Sequence, residues 1–268
     1  MEGGRIAGMM LHQHAPWLLA VLMVAAPSPL SGQNEFVRTR DMLQELNSER
    51  TAALKSGQAA KFTAAYLDRR LSTIGDVLNG ELGSALGGGS APSCEALLED
   101  LRRSLGFRGE PDPNVASVLC LPHNSGTYYV VAYALTAAAT YSRSWLGVFG
   151  PSGTGRASQL LASVDNTLPD KTAGLARLPD GKSGEVRFLA YGVNWGDPHG
   201  RLTVIAYRLV ARKLEAMWSR TDLPEGQVTV EDGKIGLSFL SSALGPGYKS
   251  VRLIKECYRV TAVGIYPQ

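Results

Sequence analysis

The segments YVVAYAL (residues 129–135) and VRFLAYGV (residues 186–193) decide how this chain folds. Both are short runs of β-branched, aromatic and small apolar residues, which are typical of strands. Two more strand-like segments follow each of them: WLGVF (145–149) and QLLAS (159–163), then VIAY (204–207) and EAMWS (215–219). Equivalent positions lie 55–58 residues apart, which predicts a repeated antiparallel meander of three or four strands. The alternative is a chance match between loosely similar segments.

A third, partial unit of the repeat is predicted after the second. Apolar residues alternate with other residues on both sides of Asp232-Gly233, and this dipeptide favours a type I′ hairpin turn because both of its residues tolerate positive φ. A two-residue loop places Val230 opposite Ile235, so that the apolar side chains share one face. The last strands of the chain are predicted at 248–255 and 258–265.

Helices are predicted before the strands. Apolar residues at helical spacing predict a hairpin of two helices within residues 33–82. Residues 83–93 (GSALGGGSAPS) are typical of a flexible linker. A third helix is predicted to begin near Cys94 and to end at Gly106. The hairpin is expected to pack on the body of the protein, and the alternative is that it binds a partner.

Together these patterns predict an α+β protein. An N-terminal helical hairpin and a third helix precede a mostly antiparallel β domain of repeated meanders, either a sandwich or a partial propeller. The predicted organisation is a signal peptide at 1–32, the hairpin at 33–82, a Gly/Ser-rich linker at 83–93 and a β-rich domain at 94–268, which begins with a short helix.

One stretch resembles a known family. The segments YRL (207–209) and KLEAMWSRTDLP (213–224) are similar to the strand–turn–strand of a quinoprotein-type β-propeller blade. Ala211-Arg212 stands where that family has Thr-Gly. About 150 β residues allow about three units, whereas a closed propeller needs four to eight blades. The resemblance therefore implies a blade-like meander, and quinone binding, calcium sites and dehydrogenase activity are not carried over.

The first 32 residues predict export. A weakly basic start precedes an apolar run at 15–26, which is shorter than the roughly 20 residues of a membrane span. Pro27 ends this run, and Ser31-Gly32 offers small residues for cleavage. The predicted location is therefore secreted or periplasmic, with no membrane span after the signal is removed. The alternative is an uncleaved membrane anchor.

Composition adds weaker constraints. The net charge is +3 with acidic and basic residues interspersed, so no nucleic-acid partner is expected. Abundant alanine and glycine, with more arginine than lysine, are typical of a GC-rich bacterial genome.

The cysteines fit an oxidising compartment. Cys94, Cys120 and Cys257 remain after the signal, and a Cys94–Cys120 disulfide is predicted because it would join the third helix to the first strand. Pairings with Cys257 and three free thiols are the alternatives. The unpaired cysteine is expected to be a buried thiol, or alternatively to form an intermolecular bond.

No catalytic set is evident in the predicted mature chain. Only His123 and His199 remain, so a three-histidine zinc site is excluded, and the spacings Cys-x-x-Cys and His-Glu-x-x-His do not occur. Cys120 lies close to His123, but this grouping is interpreted as a strand end and a polar turn. No catalytic residue, metal site or cofactor is therefore predicted.

One loop is predicted to bind a ligand. Asn194, Trp195, Asp197 and His199 place an amide, an indole, a carboxylate and an imidazole between two predicted strands. The alternative is that the glycine, aspartate and proline of this segment only make a tight turn.

The sequence favours a non-catalytic binding or interaction protein of the cell envelope or the secreted space. An unknown protein or carbohydrate would bind its β-domain loops or its helical arm. The second hypothesis is a hydrolase that acts on envelope polymer or carbohydrate, with Asp197 or another carboxylate beside His199. The third is a purely structural module.

Overall fold

A computed structural model describes most of the chain after residue 35. The described ranges are 36–88, 92–106, 114–138, 141–151, 158–165, 174–182, 184–194, 200–241 and 252–268. The signal peptide predicted at 1–32 lies outside them. None of the described helices combines the length and the apolar character that crossing a bilayer requires.

The predicted hairpin and third helix are confirmed. The helical elements are α1 (Val37–Lys55), a short 3-10 helix (Ala59–Lys61), α2 (Ala64–Gly87) and α3 (Cys94–Leu105). Two of them begin at a side-chain cap, because Thr63 accepts a hydrogen bond from the Tyr66 amide and Ser93 accepts one from the Ala96 amide. Such caps satisfy amide groups that have no partner within the helix.

Helix α2 continues five residues into the segment that the sequence predicts as a linker. It ends at Gly87, and Leu82, Ala85 and Leu86 on this last part are buried. Each glycine in a helix costs about 1 kcal/mol relative to alanine, but each buried leucine contributes roughly 1.5–3 kcal/mol. Burial of the apolar side chains therefore outweighs the helix-breaking composition of this stretch.

The described strands form three four-stranded antiparallel meanders in chain order. The first sheet contains β1 (Val115–His123), β2 (Gly126–Ala138), β3 (Tyr141–Pro151) and β4 (Ser158–Asp165). The second contains β5 (Gly174–Arg177), β6 (Arg187–Asn194), β7 (Arg201–Val210) and β8 (Lys213–Pro224). The third contains β9 (Gln227–Glu231), β10 (Lys234–Leu240), β11 (Leu253–Val260) and β12 (Ile265–Pro267). The fold is therefore α+β, as predicted, and the matching segments lie in β2 and β6, β3 and β7, and β4 and β8.

The third sheet is a complete meander rather than a partial unit. Its predicted turn is confirmed, since Asp232 and Gly233 have φ values of 46° and 71° and Val230 pairs with Ile235. The predicted interruption between residues 255 and 258 is wrong, because β11 runs through it.

A charged pair explains why β11 is continuous. Glu256 lies on the inward face of β11, where it pairs with Leu237 of β10. Arg220 of β8 donates two hydrogen bonds to this carboxylate, at 2.6 and 3.1 Å, and the Tyr258 hydroxyl donates a third at 2.6 Å. A glutamate is therefore accommodated within the strand because its charge is paired.

The elements pack as successive layers. One face of the first sheet carries Val131 and Leu135 and packs against the helices, whereas its other face carries Val130 and Ala132 and packs against the second sheet. The second sheet packs in turn against the third, through residues such as Leu189. Strands that are buried on both faces are apolar without alternation, which explains the segment YVVAYAL. In the third sheet, less exposed residues alternate with more exposed ones, because its outward face is in solvent.

The predicted disulfide between Cys94 and Cys120 is present. It joins the first residue of α3 to β1, with a Cα–Cα distance of 5.9 Å. Cys257 is a free thiol, but the expectation that it is buried is wrong. It lies on the outward face of β11, between the exposed residues Lys255 and Arg259.

Loss of the disulfide should weaken the fold. For a bond between residues 26 apart in sequence, we expect Cys94→Ser combined with Cys120→Ser to lower the free energy of unfolding by about 3–4 kcal/mol. Urea denaturation under non-reducing conditions measures this difference. The control Cys257→Ser removes an exposed thiol and should change stability by less than about 0.5 kcal/mol. Equal stability of the double variant and the control would contradict the assignment.

Candidate functional site

The predicted binding loop lies mostly beyond what the structure describes. Asn194 is the last residue of β6 and pairs with Arg201 at the start of β7. Trp195, Asp197 and His199 lie outside the described residues. Their role in binding therefore stays a prediction.

A cleft of about 460 Å³ lies between α2 and the first sheet. Its size is within the range of roughly 300–1,000 Å³ that is usual for small-molecule sites. The polar side chains that line it come from α2, β3 and β4, and they are Ser72, Asp76, Asn79, Arg143, Ser163 and Asp165. We call it the α2 cleft.

The helical wall of the α2 cleft follows from the periodicity of α2. Ser72, Asp76 and Asn79 are spaced by four and three residues, so they lie on one face of the helix. This face borders the buried stripe that includes Leu71 and Leu78. The face of α2 beside its contact with the sheet is therefore polar, and this face forms one wall of the cleft.

The sheet wall of the α2 cleft is a row of side chains across three strands. Tyr133 of β2 pairs with Trp145 of β3, and Trp145 pairs with Asp165 of β4. Paired residues in neighbouring antiparallel strands project from the same face. Arg143 lies two positions before Trp145 on β3 and therefore shares that face.

The floor of the α2 cleft is aromatic. The rings of Tyr133 and Trp145 are stacked, with centroids 5.1 Å apart and an interplanar angle of 21°. The indole also covers Gly147, where a Cβ atom would collide with it. Tyr133 and Trp145 are only 2% and 6% exposed, so neither ring offers a free face on which a ligand could stack.

The Tyr133 hydroxyl contacts the backbone of α2. It lies 3.3 Å from the Gly75 carbonyl oxygen and 3.1 Å from Asn79 Oδ1, and it donates to this pair of acceptors. A Cβ atom on residue 75 would lie 3.2 Å from the hydroxyl oxygen, which is tighter than an ordinary contact. Glycine at this position therefore allows the tyrosine to approach the helix.

Carboxylates outnumber cations around the α2 cleft. Arg143 forms ion pairs with Asp68 at 3.1 Å and with Asp165 at 2.9 Å. Burial alone would lower the pKa of Arg143, but the hydrogen bond to Asp165 and the attraction of Asp165 and Asp68 raise it. Asp76 is exposed and makes no ion pair or hydrogen bond with the residues that the structure describes.

The carboxylates around the α2 cleft also raise the pKa of Tyr133. Burial of the phenol raises this pKa most, and the charges of Asp165 and Asp76 raise it further. The charge of Arg143 acts in the opposite direction but is weaker. Tyr133 therefore stays protonated at neutral pH, so that it serves as a hydrogen-bond donor rather than as a base.

A second polar cluster surrounds His123 at the turn between β1 and β2. One ring nitrogen, Nε2, lies 2.8 Å from the Gly184 carbonyl oxygen, and Nδ1 lies 3.0 Å from Ser125 Oγ. The Ser125 amide also donates to Nδ1 at 3.3 Å. Both ring nitrogens are thus engaged in holding the turn against residue 184. Cys120 is in the disulfide and has no thiol to act as a nucleophile.

No group of three or more histidine, cysteine, aspartate or glutamate side chains in the described ranges is arranged to hold a metal ion. No protein-family model matches the chain, and no curated protein matches it. The function is therefore argued from the site itself.

The sequence did not predict the α2 cleft. Trp145 lies within a predicted strand, and its burial shows that it packs in the core. The spacing of Ser72, Asp76 and Asn79 beside the apolar stripe of α2 is the one signal available in the sequence. It does not indicate which strand faces the helix, so Arg143 and Asp165 could not be assigned to the same site.

A methyl group at residue 147 should disturb the floor of the α2 cleft. Gly147→Ala forces the Trp145 indole away from its stack with Tyr133, and we expect a loss of about 1–3 kcal/mol in the free energy of unfolding together with a changed near-ultraviolet circular dichroism spectrum. The control is Gly80→Ala on α2, where a Cβ atom meets nothing within 4 Å. This control should be up to about 1 kcal/mol more stable than the parent protein. If both variants behave alike, the described contact is wrong.

Proposed function

We propose that this chain is an exported, non-catalytic binding protein that holds a small ligand in the α2 cleft. The observation that carries the proposal is the cleft itself, because its walls are polar, its floor is buried, and one carboxylate, Asp76, has no partner among the described residues. A few polar groups above an apolar floor are typical of small-molecule sites.

Two observations support export. The apolar run at 15–26 has the length of a signal peptide, and the Cys94–Cys120 disulfide is of the kind that persists in oxidising compartments. The proposed location is therefore secreted or periplasmic, and the proposed source is bacterial. The partner is proposed to be a component of the cell envelope or of the secreted space.

The packing of the helices favours the cleft over the helical arm as the binding surface. The apolar residues of α1 and α2 are buried in the same core as the first sheet, including Leu43 and Leu71. An amphipathic helix can hold a partner in a groove only through an apolar face that is free. The apolar faces of α1 and α2 are instead buried against the rest of the protein.

The groups around the cleft favour binding over hydrolysis. The described lining residues include no histidine or cysteine. Glycoside hydrolysis usually requires two carboxyl groups with separate roles, but Asp165 is engaged by Arg143. Asp76 is then the one carboxylate of the described lining without a protein partner. The hydrolase that uses Asp197 and His199 stays a prediction, since these residues lie outside the described ranges.

The proposal is tested by screening sugars, amino acids, amines and organic acids against the purified protein in thermal unfolding. A ligand present at about 100 times its Kd should stabilise the folded state by about 2.7 kcal/mol. We expect at least one class to raise the melting temperature of the parent protein, and this rise to be reduced in Asp76→Asn. The control Asp41→Asn removes an exposed carboxylate on α1 and should respond like the parent.

Two outcomes contradict the proposal. One is that no class raises the melting temperature, and the other is that the rise is unchanged in Asp76→Asn. The mass of the protein recovered from its host tests export separately. It should correspond to a chain without residues 1–32, and an intact chain in the cytosol would contradict this part.

A further inference from the structure

We infer that the α2 cleft selects organic cations, namely ligands that carry an ammonium group. This inference rests on the proposed function, because it assigns a chemical class to the ligand of the same site. It is carried by the charges, the hydrogen-bonding groups and the shape of the cleft.

The balance of charge favours a cation. Arg143 is the one cation among the described lining residues, and its guanidinium is held by Asp68 and Asp165, whereas Asp76 lies on the helical wall. The charge of Asp76 is therefore not compensated by the described residues. A carboxylate or phosphate ligand would meet repulsion from Asp76 and Asp165, whereas an ammonium group would be attracted.

The hydrogen-bonding groups on the helical wall also fit an ammonium. An ammonium group has three donors and no acceptor. Ser72, Asp76 and Asn79 offer oxygen atoms along one face of α2, and Asn79 Oδ1 has a second lone pair besides the one that faces Tyr133. This wall therefore offers several acceptors to a group that only donates.

The shape of the floor disfavours a sugar. Stacking on a sugar ring requires an exposed aromatic face, but Trp145 is covered by Tyr133 and by Gly147. Of the leucines in the lining, Leu71 and Leu135 are buried and Leu160 is exposed. The floor therefore offers a sugar no ring to stack on, and the polar helical wall carries the recognition of the ligand.

The test compares three probes that share one ring but differ in charge: benzylamine, benzyl alcohol and benzoate. Isothermal titration at pH 7 measures their binding to the parent protein. We expect benzylamine to bind at least about tenfold more tightly than the other two, which is the effect of a charge-assisted hydrogen bond. Its affinity should fall as salt is added, because the attraction is electrostatic.

Variants identify the group responsible. Asp76→Asn should weaken benzylamine about tenfold, Asp76→Glu should retain most of the affinity, and the control Asp41→Asn should bind like the parent. Far-ultraviolet circular dichroism confirms that each variant is folded. Equal loss in Asp76→Asn and Asp76→Glu would overturn the assignment to the carboxylate.

The remaining outcomes separate this inference from the proposed function. If benzyl alcohol or benzoate binds as tightly as benzylamine, or if only a sugar binds in the wider screen, the cleft is a binding site but the inferred ligand class is wrong. If no probe and no compound of the screen binds, both are wrong.

Discussion

Both faces of the first sheet are apolar, and the rest of the structure depends on covering them. Val131, Leu135 and Phe149 face the helices, while Val130 and Val148 face the second sheet. Exposure of three such side chains would cost on the order of 5–9 kcal/mol, which is comparable to the whole stability of a domain. The helices are therefore a necessary layer of the fold rather than an accessory arm. The disulfide from Cys94 to Cys120 fixes this layer at β1.

The α2 cleft is a consequence of this layering. A helix contacts a sheet along one stripe of side chains. The side chains of α2 beside this stripe lie near the first sheet but do not fill the space between helix and sheet. Polar residues occupy this border on both sides, with Asp76 and Asn79 on the helix and Arg143 on β3. The stacked rings of Tyr133 and Trp145 close the floor. The site is therefore built on a helix and strands, which hold it in a fixed geometry.

Local signals in the sequence were sufficient for the central strands of the first two sheets and for one hairpin turn of the third. The segment 129–135, the Asp232-Gly233 turn and the Cys94–Cys120 pair were all predicted, because each depends on neighbouring residues or on one pairing. The end of α2 and the course of β11 were not predicted, since burial against another layer decides both. The cleft was not predicted for the same reason. Its walls come from segments that are about 60–90 residues apart, and no local pattern indicates that they meet.

The central claim is that the helices and the first sheet form one cooperative core with the cleft between them. Amide hydrogen exchange of the native protein tests it most directly. The account predicts that the middle of α2 and the middle of β2 exchange with similar, slow rates, because neither can open without exposing the shared core. Fast exchange throughout α2 beside slow exchange in β2 and β6 would show an independent helical arm and would contradict the account.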